Sequence, residues 1–237
     1  MDEIKQTLAI LKSRWPEVGL IVGLSFLSRL VMSTVRIYPT NIRTVMQFVS
    51  IGLLLFSLIV SLGFLRTVYL EPNERRSLAD LVRTGKHFFW RFFILGALAG
   101  LATMLFSIWL LRMTGTADTV FFNISGPFMH LLLAKLILLL PAIIIVTDCS
   151  IPKSFNLMWK IKLLQAKAKP LLVFFLIVRI ALPILLALLI PGFWRAAVSI
   201  TWITPIYLLY LTFLYFTNLM ISVMAIRFVS FLEMTDS

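Results

Sequence analysis

The sequence predicts an all-α integral membrane protein of about six transmembrane helices with short cytoplasmic amphipathic helices. Three observations carry that prediction. Hydrophobic residues make up 60% of the 237 residues and charged residues only 14%, with a mean hydropathy of +1.00. A soluble domain so composed would expose large apolar patches, which soluble proteins avoid. The apolar residues gather in runs at 18–35, 45–70, 89–111, 128–147, 170–190 and 196–226, each suited to a hydrocarbon core about 30 Å thick. Basic residues, finally, crowd some connections and spare others, the asymmetry that orients membrane proteins.

Residues 1–17 open the chain as an interfacial helix, with Ile4, Leu8, Leu11 and Trp15 on one stripe. This is no cleavable leader, because both charge signs occur, Pro16-Glu17 follows, and Arg29 interrupts the next apolar run. The first run is also the least apolar, with Ser25, Ser28, Ser33 and Thr34 inside it. A basic connection at 74–87 carries Arg75, Arg76, Arg83 and Lys86. Ser77 with Asp80 three residues on makes a capping box, and Leu78, Leu81, Val82 and Gly85 recur at helical spacing. The expectation is a short amphipathic helix in the headgroup layer. Gly19 and Gly23 in the first span, and Gly96, Gly100, Thr103 and Ser107 in the third, form small-residue ridges suited to close helix packing.

The second basic connection, 152–169, has Lys153, Lys160 and Lys167 on one side, with Lys162 and Lys169 nearly opposite. It reads as a broken helix, or as one standing off the membrane. Its order of span, basic helix and span repeats faintly that of the first connection. The sixth run is too long for a straight perpendicular helix, so it tilts or bends at Pro205. Thr201, Thr204, Thr212, Tyr215, Asn218 and Ser222 share a wide face of it, as interhelical hydrogen-bonding groups or as the lining of a cavity. The whole chain, 1–237, makes one polytopic domain.

Lys5, Lys12 and Arg14, both basic connections and Arg227 fall on one side of a six-span topology. Arg36, Arg43, Arg112 and Arg195 fall on the other. Both termini are therefore expected in the cytoplasm. A net charge of +12 would suggest nucleic acid in a soluble protein. Here it points to the bilayer and its anionic phospholipid, with no nucleic acid.

Three cations fall deep in these runs: Arg29, Lys135 and Arg179. They lie about 16, 11 and 14 Å from the starts of their runs at 1.5 Å per residue. Each costs roughly 2.5–3.5 kcal/mol to insert. The ten acidic residues all fall outside the runs, so no internal ion pair is expected at that depth. Lys135 can snorkel beside His130. Pro183, one turn after Arg179, frees the carbonyl of residue 179, and the guanidinium can serve freed carbonyls of this kind. Otherwise the cations meet an anionic guest, either a lipid phosphate or a partner's carboxylate. Arg29, Lys135 and Arg179 are thus candidate ligand-binding residues. Arg75, Arg76, Arg83, Lys86, Lys160, Lys162, Lys167 and Lys169 are candidates for contact with the membrane surface or a partner subunit.

Enzymatic chemistry finds little support. His87 and His130 fall on opposite sides of the membrane, and no glycine-rich phosphate loop precedes a helix. No catalytic residue, metal or cofactor is expected. The lone Cys149 forms no internal disulfide and suits a reducing compartment.

The stretch Leu78-Ala-Asp-Leu-Val-Arg-Thr-Gly-Lys-His-Phe-Phe-Trp-Arg-Phe-Phe93 resembles a feature of uncharacterised six-span prokaryotic membrane proteins. These are similar to the membrane domain fused to some glycerophosphodiester phosphodiesterases. There a short helix leads through a glycine and a basic-aromatic cluster into the third span. Val146-Thr-Asp-Cys-Ser-Ile-Pro-Lys-Ser-Phe-Asn-Leu-Met-Trp159 looks like their second such stretch, in which an acidic residue ends the fourth span. The resemblance implies a fold and a prokaryotic inner-membrane location. The fused catalytic domain has no counterpart here, so it implies no hydrolase chemistry. Glu74-Arg-Arg-Ser-Leu-Ala-Asp-Leu-Val82, following the second span, looks like the permease subunits of ABC-2-type exporters, where such a helix docks on an ATPase. The functional expectation is a non-enzymatic inner-membrane accessory or scaffold subunit that binds anionic lipid or a partner. The alternative is the transmembrane subunit of a transporter.

Overall fold

The computed structural model describes residues 2–34, 39–114, 134–161, 168–190 and 204–235. Helices make up the fold and no strand occurs among these residues. In chain order they are α1 (Asp2–Ser13), α2 (Trp15–Thr34), α3 (Thr40–Leu70), α4 (Leu78–Thr114), α5 (Ala134–Thr147) and α6 (Ile151–Lys160). Then come α7 (Lys169–Leu176), a π-helical turn (Ile177–Ala181), α8 (Leu182–Leu189) and α9 (Thr204–Thr235). Five stretches are long and apolar enough to cross a membrane: Trp15–Met32, Ile42–Leu70, Leu78–Phe106, Lys169–Leu186 and Pro205–Leu232. A sixth is counted where α5 and α6, which meet at a 119° bend, are taken together as one span. The chain is a multi-pass, all-α membrane protein.

The bundle is built around α5. From Leu138 to Ile145 every residue but Pro141 is at most 2% exposed. A helix enclosed on all sides is apolar all round, which is why this stretch reads in sequence as a run without a face. α3 and α9 pack against α5, and α2 lies against both of them. α1 lays Thr7, Ile10 and Leu11 onto the bundle, while Leu8 and Trp15 point outward. The buried stripe is thus rotated from the expected one. Arg227 of α9 holds α1 through Glu3 and Gln6, so both termini lie at one end of the bundle.

α3 and α4 form the tightest pair. A Cβ at Gly63 would lie 1.9 Å from the Leu81 carbonyl oxygen, and one at Gly85 would lie 1.8 Å from that of Ile59. The backbones touch, and only glycine fits at either position. This corrects the reading of 74–87 as a short helix lying in the headgroup layer, while its continuation into the third span is as the resemblance implies. Ser77 caps as expected, its Oγ accepting the Asp80 N–H at 3.2 Å and donating to Asp80 Oδ2 at 2.6 Å. The helix then runs unbroken for 37 residues into the third span, with Leu81 and Phe88 buried. Clamping by Gly63 and Gly85 holds its first turns upright beside α3.

The ridges read as packing surfaces prove open: nothing lies within 4 Å of a Cβ placed at Gly19, Gly23, Gly96 or Gly100. Interhelical hydrogen bonding also falls elsewhere than expected. Ser28 Oγ donates to the Ser50 carbonyl at 2.8 Å, Ser50 Oγ to the Ser28 carbonyl at 2.9 Å, and the hydroxyls of Ser25 and Ser57 meet at 2.7 Å. These lock α2 to α3. On α9, Thr212, Thr217 and Ser222 bond carbonyls of their own helix instead. Pro205 lies at the first described residues of α9, which runs on from it to Thr235; Thr201 lies outside the described residues. The 152–169 connection is a broken helix: α6 ends at Lys160, and Ser154 and Met158 seat it on the bundle. The two basic connections are therefore built differently, and the internal repeat does not extend to them.

Gly85→Ala forces apart two touching backbones and should destabilise the purified protein by about 1–3 kcal/mol or more. Gly96→Ala, which meets open space, should leave the detergent melting temperature unchanged or slightly raised. Equal behaviour of the two variants in paired melts would contradict the α3–α4 contact.

Candidate functional site

At the end that carries both termini, the helices are joined by charge. Arg14, between α1 and α2, is fully buried. Its Nη2 donates to Thr67 Oγ1 at 2.8 Å, it pairs with Glu17, and its guanidinium lies 4.7 Å from the Phe64 ring centroid. Burial pushes the Arg14 pKa down, against the hydrogen bond and charge of Glu17, which pull it back up. Glu17 Oε1 also accepts the Arg76 backbone N–H at 2.6 Å. One carboxylate thus ties the 71–77 connection to the α1–α2 junction. Glu17 lies in the first turn of α2, which corrects the expectation that no acidic residue falls within a span. It is twelve residues, about 18 Å of helix, from Arg29 and cannot neutralise it.

A second knot ends α5. Arg66 Nη1 donates to the Val146 carbonyl at 2.9 Å and to that of Ile145, both among the carbonyls a helix leaves unsatisfied at its C-terminus. Asp148 then reverses the chain with φ 50°. Its carboxylate receives Arg91 Nη1 at 2.6 Å, and His87 Nε2 lies 3.0 Å from each of its oxygens. Desolvation raises the Asp148 pKa, but hydrogen bonds from Arg91 and His87 outweigh it and hold the carboxyl below its usual range. His87 and Arg91 belong to the first resemblance stretch and Asp148 to the second, so the fold brings the two together. In sequence, Asp148 stands out only as the charge that ends an apolar run.

The surface candidates therefore divide. Arg76 pairs with Glu71 and Glu74, and Arg75 Nε donates to the Ser13 carbonyl at 3.0 Å. These two hold the chain together. Arg83, Lys86, Lys160 and Lys169 are exposed. Arg83 and Lys86 border a hollow of about 530 Å³ whose walls are Phe56, Leu78, Ala79 and Val82. Lys162 and Lys167 lie outside the described residues.

Of the deep cations, two converge. Arg29 is three residues from the end of the Trp15–Met32 stretch, nearer that end than mid-depth, because α2 begins three residues before the expected run. Its Nη2 lies 3.4 Å from the Tyr207 hydroxyl on α9. Arg179 sits in the π turn, where the helix widens just before Pro183, whose ring displaces the carbonyl of residue 179. Its electrostatic neighbour is Tyr210, whose ring centroid lies 6.5 Å from that of Tyr207. Arg29 likewise acts on Tyr215. Arg29 thus meets a phenol directly, and Arg179 has one as its electrostatic neighbour. Tyr207 and Tyr210 carried no signal in sequence, since an aromatic in an apolar span reads as packing. Lys135 lies at the start of α5, but its side chain and His130 are outside the described residues.

Beside this cluster an apolar groove of about 960 Å³ runs between α2, α8 and α9. Trp15, Gly19, Gly23 and Phe26 form one wall, and Leu182, Leu186, Leu209, Tyr210 and Phe213 the other.

Fold and site together define a multi-pass helical membrane protein with a charge-locked end and an intramembrane arginine–tyrosine cluster. Compared with known proteins, the chain matches no family model, no curated protein and no solved structure.

Asp148→Asn keeps a residue that tolerates positive φ and removes only the charge. Because the folded Asp148 pKa is depressed, its stabilisation is present above the unfolded value, about 3.9, and is lost as pH falls through the folded one. The variant should melt lower than wild type at neutral pH by about 0.2–1 kcal/mol, the range for exposed pairs. That gap should close below roughly pH 4. A gap of constant size down to strong acid would contradict the charge assignment.

Proposed function

We propose that this protein is a non-enzymatic accessory or scaffold protein of a prokaryotic inner membrane that holds anionic phospholipid on its terminus-bearing, cytoplasmic face. The observation that carries the reading is the hollow beneath Arg83 and Lys86, where exposed cations border an apolar floor. A phosphate meets the cations there while a chain covers Phe56 and Val82. The net charge of +12 supports it, since each basic residue near an anionic surface contributes about 1 kcal/mol. The locked charges at the same end support a rigid platform and no moving gate. For a transport subunit, the large groove would need polar walls that carry a solute between the two faces. Apart from Tyr210 and Thr212 its walls are apolar side chains, which favours lipid.

The test is native mass spectrometry of protein purified in mild detergent and titrated with phosphatidylglycerol. Arg83→Gln with Lys86→Gln should weaken retention of that lipid by about tenfold or more, two charges at about 1 kcal/mol each. Unchanged retention would overturn the reading. Orientation is checked separately in intact cells. A cysteine introduced at Thr116 should react with an impermeant thiol reagent from outside, and Cys149 should not. Labelling of Cys149 from outside would reverse the topology.

A further inference from the structure

Arg29 and Arg179 have no carboxylate partner among the described residues. Each has a tyrosine as its electrostatic neighbour instead. A phenol oxygen orients a guanidinium without cancelling its charge. Arg29 is exposed on the side of the bundle and Arg179 is half-buried, so both charges stay open to an anion. The cluster also has a definite place. Arg29 is three residues from the end of the Trp15–Met32 stretch, and Tyr207 is two residues from the start of Pro205–Leu232. Both therefore lie within about a turn of the membrane face opposite the termini, while Arg179, seven residues or about 10 Å from the end of Lys169–Leu186, lies deeper.

From there the groove leads inward. Phe26, one turn from Arg29 on the same face of α2, lines its near end, and Trp15 its far end. Arg29 stands about a turn beyond the lining, which from Phe26 to Trp15 spans about 16 Å of helix. That is more than half of a core about 30 Å thick, so the groove can take one acyl chain lengthwise. A partner's transmembrane helix would need a contact running the full thickness. Gly19 and Gly23 face open space, so the floor of the groove stands clear of side chains.

We infer that this groove is a second lipid site. An anionic phospholipid of the leaflet opposite the termini lays one acyl chain along Gly19, Gly23 and Phe26, with its phosphate at Arg29 and Arg179 beside Tyr207 and Tyr210. The inference shares with the proposed function only the premise that the protein retains anionic lipid, and it concerns the opposite face.

Gly23→Leu tests it with little risk to folding, because the new side chain enters empty space and leucine favours helix over glycine. The full chain is titrated with phosphatidylglycerol, and in parallel with phosphatidylcholine, and retained lipids are counted by native mass spectrometry beside a thermal melt. Wild type should hold one tightly bound phosphatidylglycerol that Arg83→Gln with Lys86→Gln does not remove. Gly23→Leu should release it without lowering the melting temperature. Arg29→Gln with Arg179→Gln should erase the preference for phosphatidylglycerol over phosphatidylcholine while a lipid is still retained. Equal retention of the two lipids by wild type would mean ordinary boundary lipid and would overturn the inference, as would a Gly23→Leu protein with wild-type lipid content. If all selectivity follows Arg83 and Lys86, the groove assignment falls and the surface reading stands. If it all follows Gly23 and the two arginines, the surface reading falls instead.

Discussion

The fold depends on one constraint, the need to satisfy every polar group of a helix that is buried on all sides. In a membrane no water reaches such a helix, so its backbone must be paired by the protein itself. Along α5 the helical hydrogen bonds do this except at Pro141, which has no N–H to offer the Ile137 carbonyl, and the rest of the problem is concentrated where the helix ends. Arg66 reaches across from α3 and takes the carbonyls of Ile145 and Val146. The guanidinium is held in turn over the Tyr69 and Phe88 rings, at 5.2 and 5.8 Å from their centroids. Asp148 can then leave the helix at a sharp angle because Arg91 and His87 of α4 hold its carboxylate. One buried helix end thus fixes the relation of α3, α4 and α6.

The Arg14–Glu17 pair meets a related problem at the α1–α2 junction, though Arg14 Nε and Nη1 stay buried without a hydrogen-bond partner. Burying two opposite charges seldom gains stability over apolar residues of the same size, but removing one of them strands the other. What such a pair supplies is position. Arg14 can sit without exposure only where Thr67, Phe64 and Glu17 meet it, which sets the register of α2 against α3. The reciprocal serine bonds further along the same pair, Ser28 with Ser50, fix that register again. In an environment where both lipid and protein are apolar, such polar contacts discriminate between registers that greasy surfaces leave nearly equal in energy.

That equality also explains what could be read from the sequence. The apolar runs and the helix start at Ser77 depend on local chemistry and were legible, and a break within 152–169 was one of two readings, without its position after Lys160. Which helices touch was not. Gly96 and Gly100 have the spacing of a packing ridge yet face open space, while Gly63 and Gly85, which have no such pattern, carry the closest contact. A small residue marks where a backbone can be approached and does not say what approaches it. Arg29 and Arg179 were each visible as costly cations, but their convergence on α9 depends on helix order, which no spacing along the chain encodes. Asp148 was visible as a helix end and invisible as the partner of His87 and Arg91, sixty residues away in sequence.

The arginines of this protein sort by the partner that each is given. Where a carboxylate is supplied, as for Arg14, Arg76 and Arg91, the cation is neutralised and serves the fold. Where helix carbonyls are supplied, as for Arg66, it caps an element. Arg29 receives a phenol, and Arg179 lies in the field of another. A glutamate in place of Tyr207 would satisfy Arg29 better and close the site, because an ion pair leaves little field for a further anion. A tyrosine satisfies only some of the guanidinium donors and leaves the positive charge in place, next to a groove with glycine along its floor. In the low-dielectric interior that residual field is worth far more than it would be in water. The choice of tyrosine over carboxylate therefore keeps two cations costly within the isolated chain and attractive to an anion that enters from the bilayer.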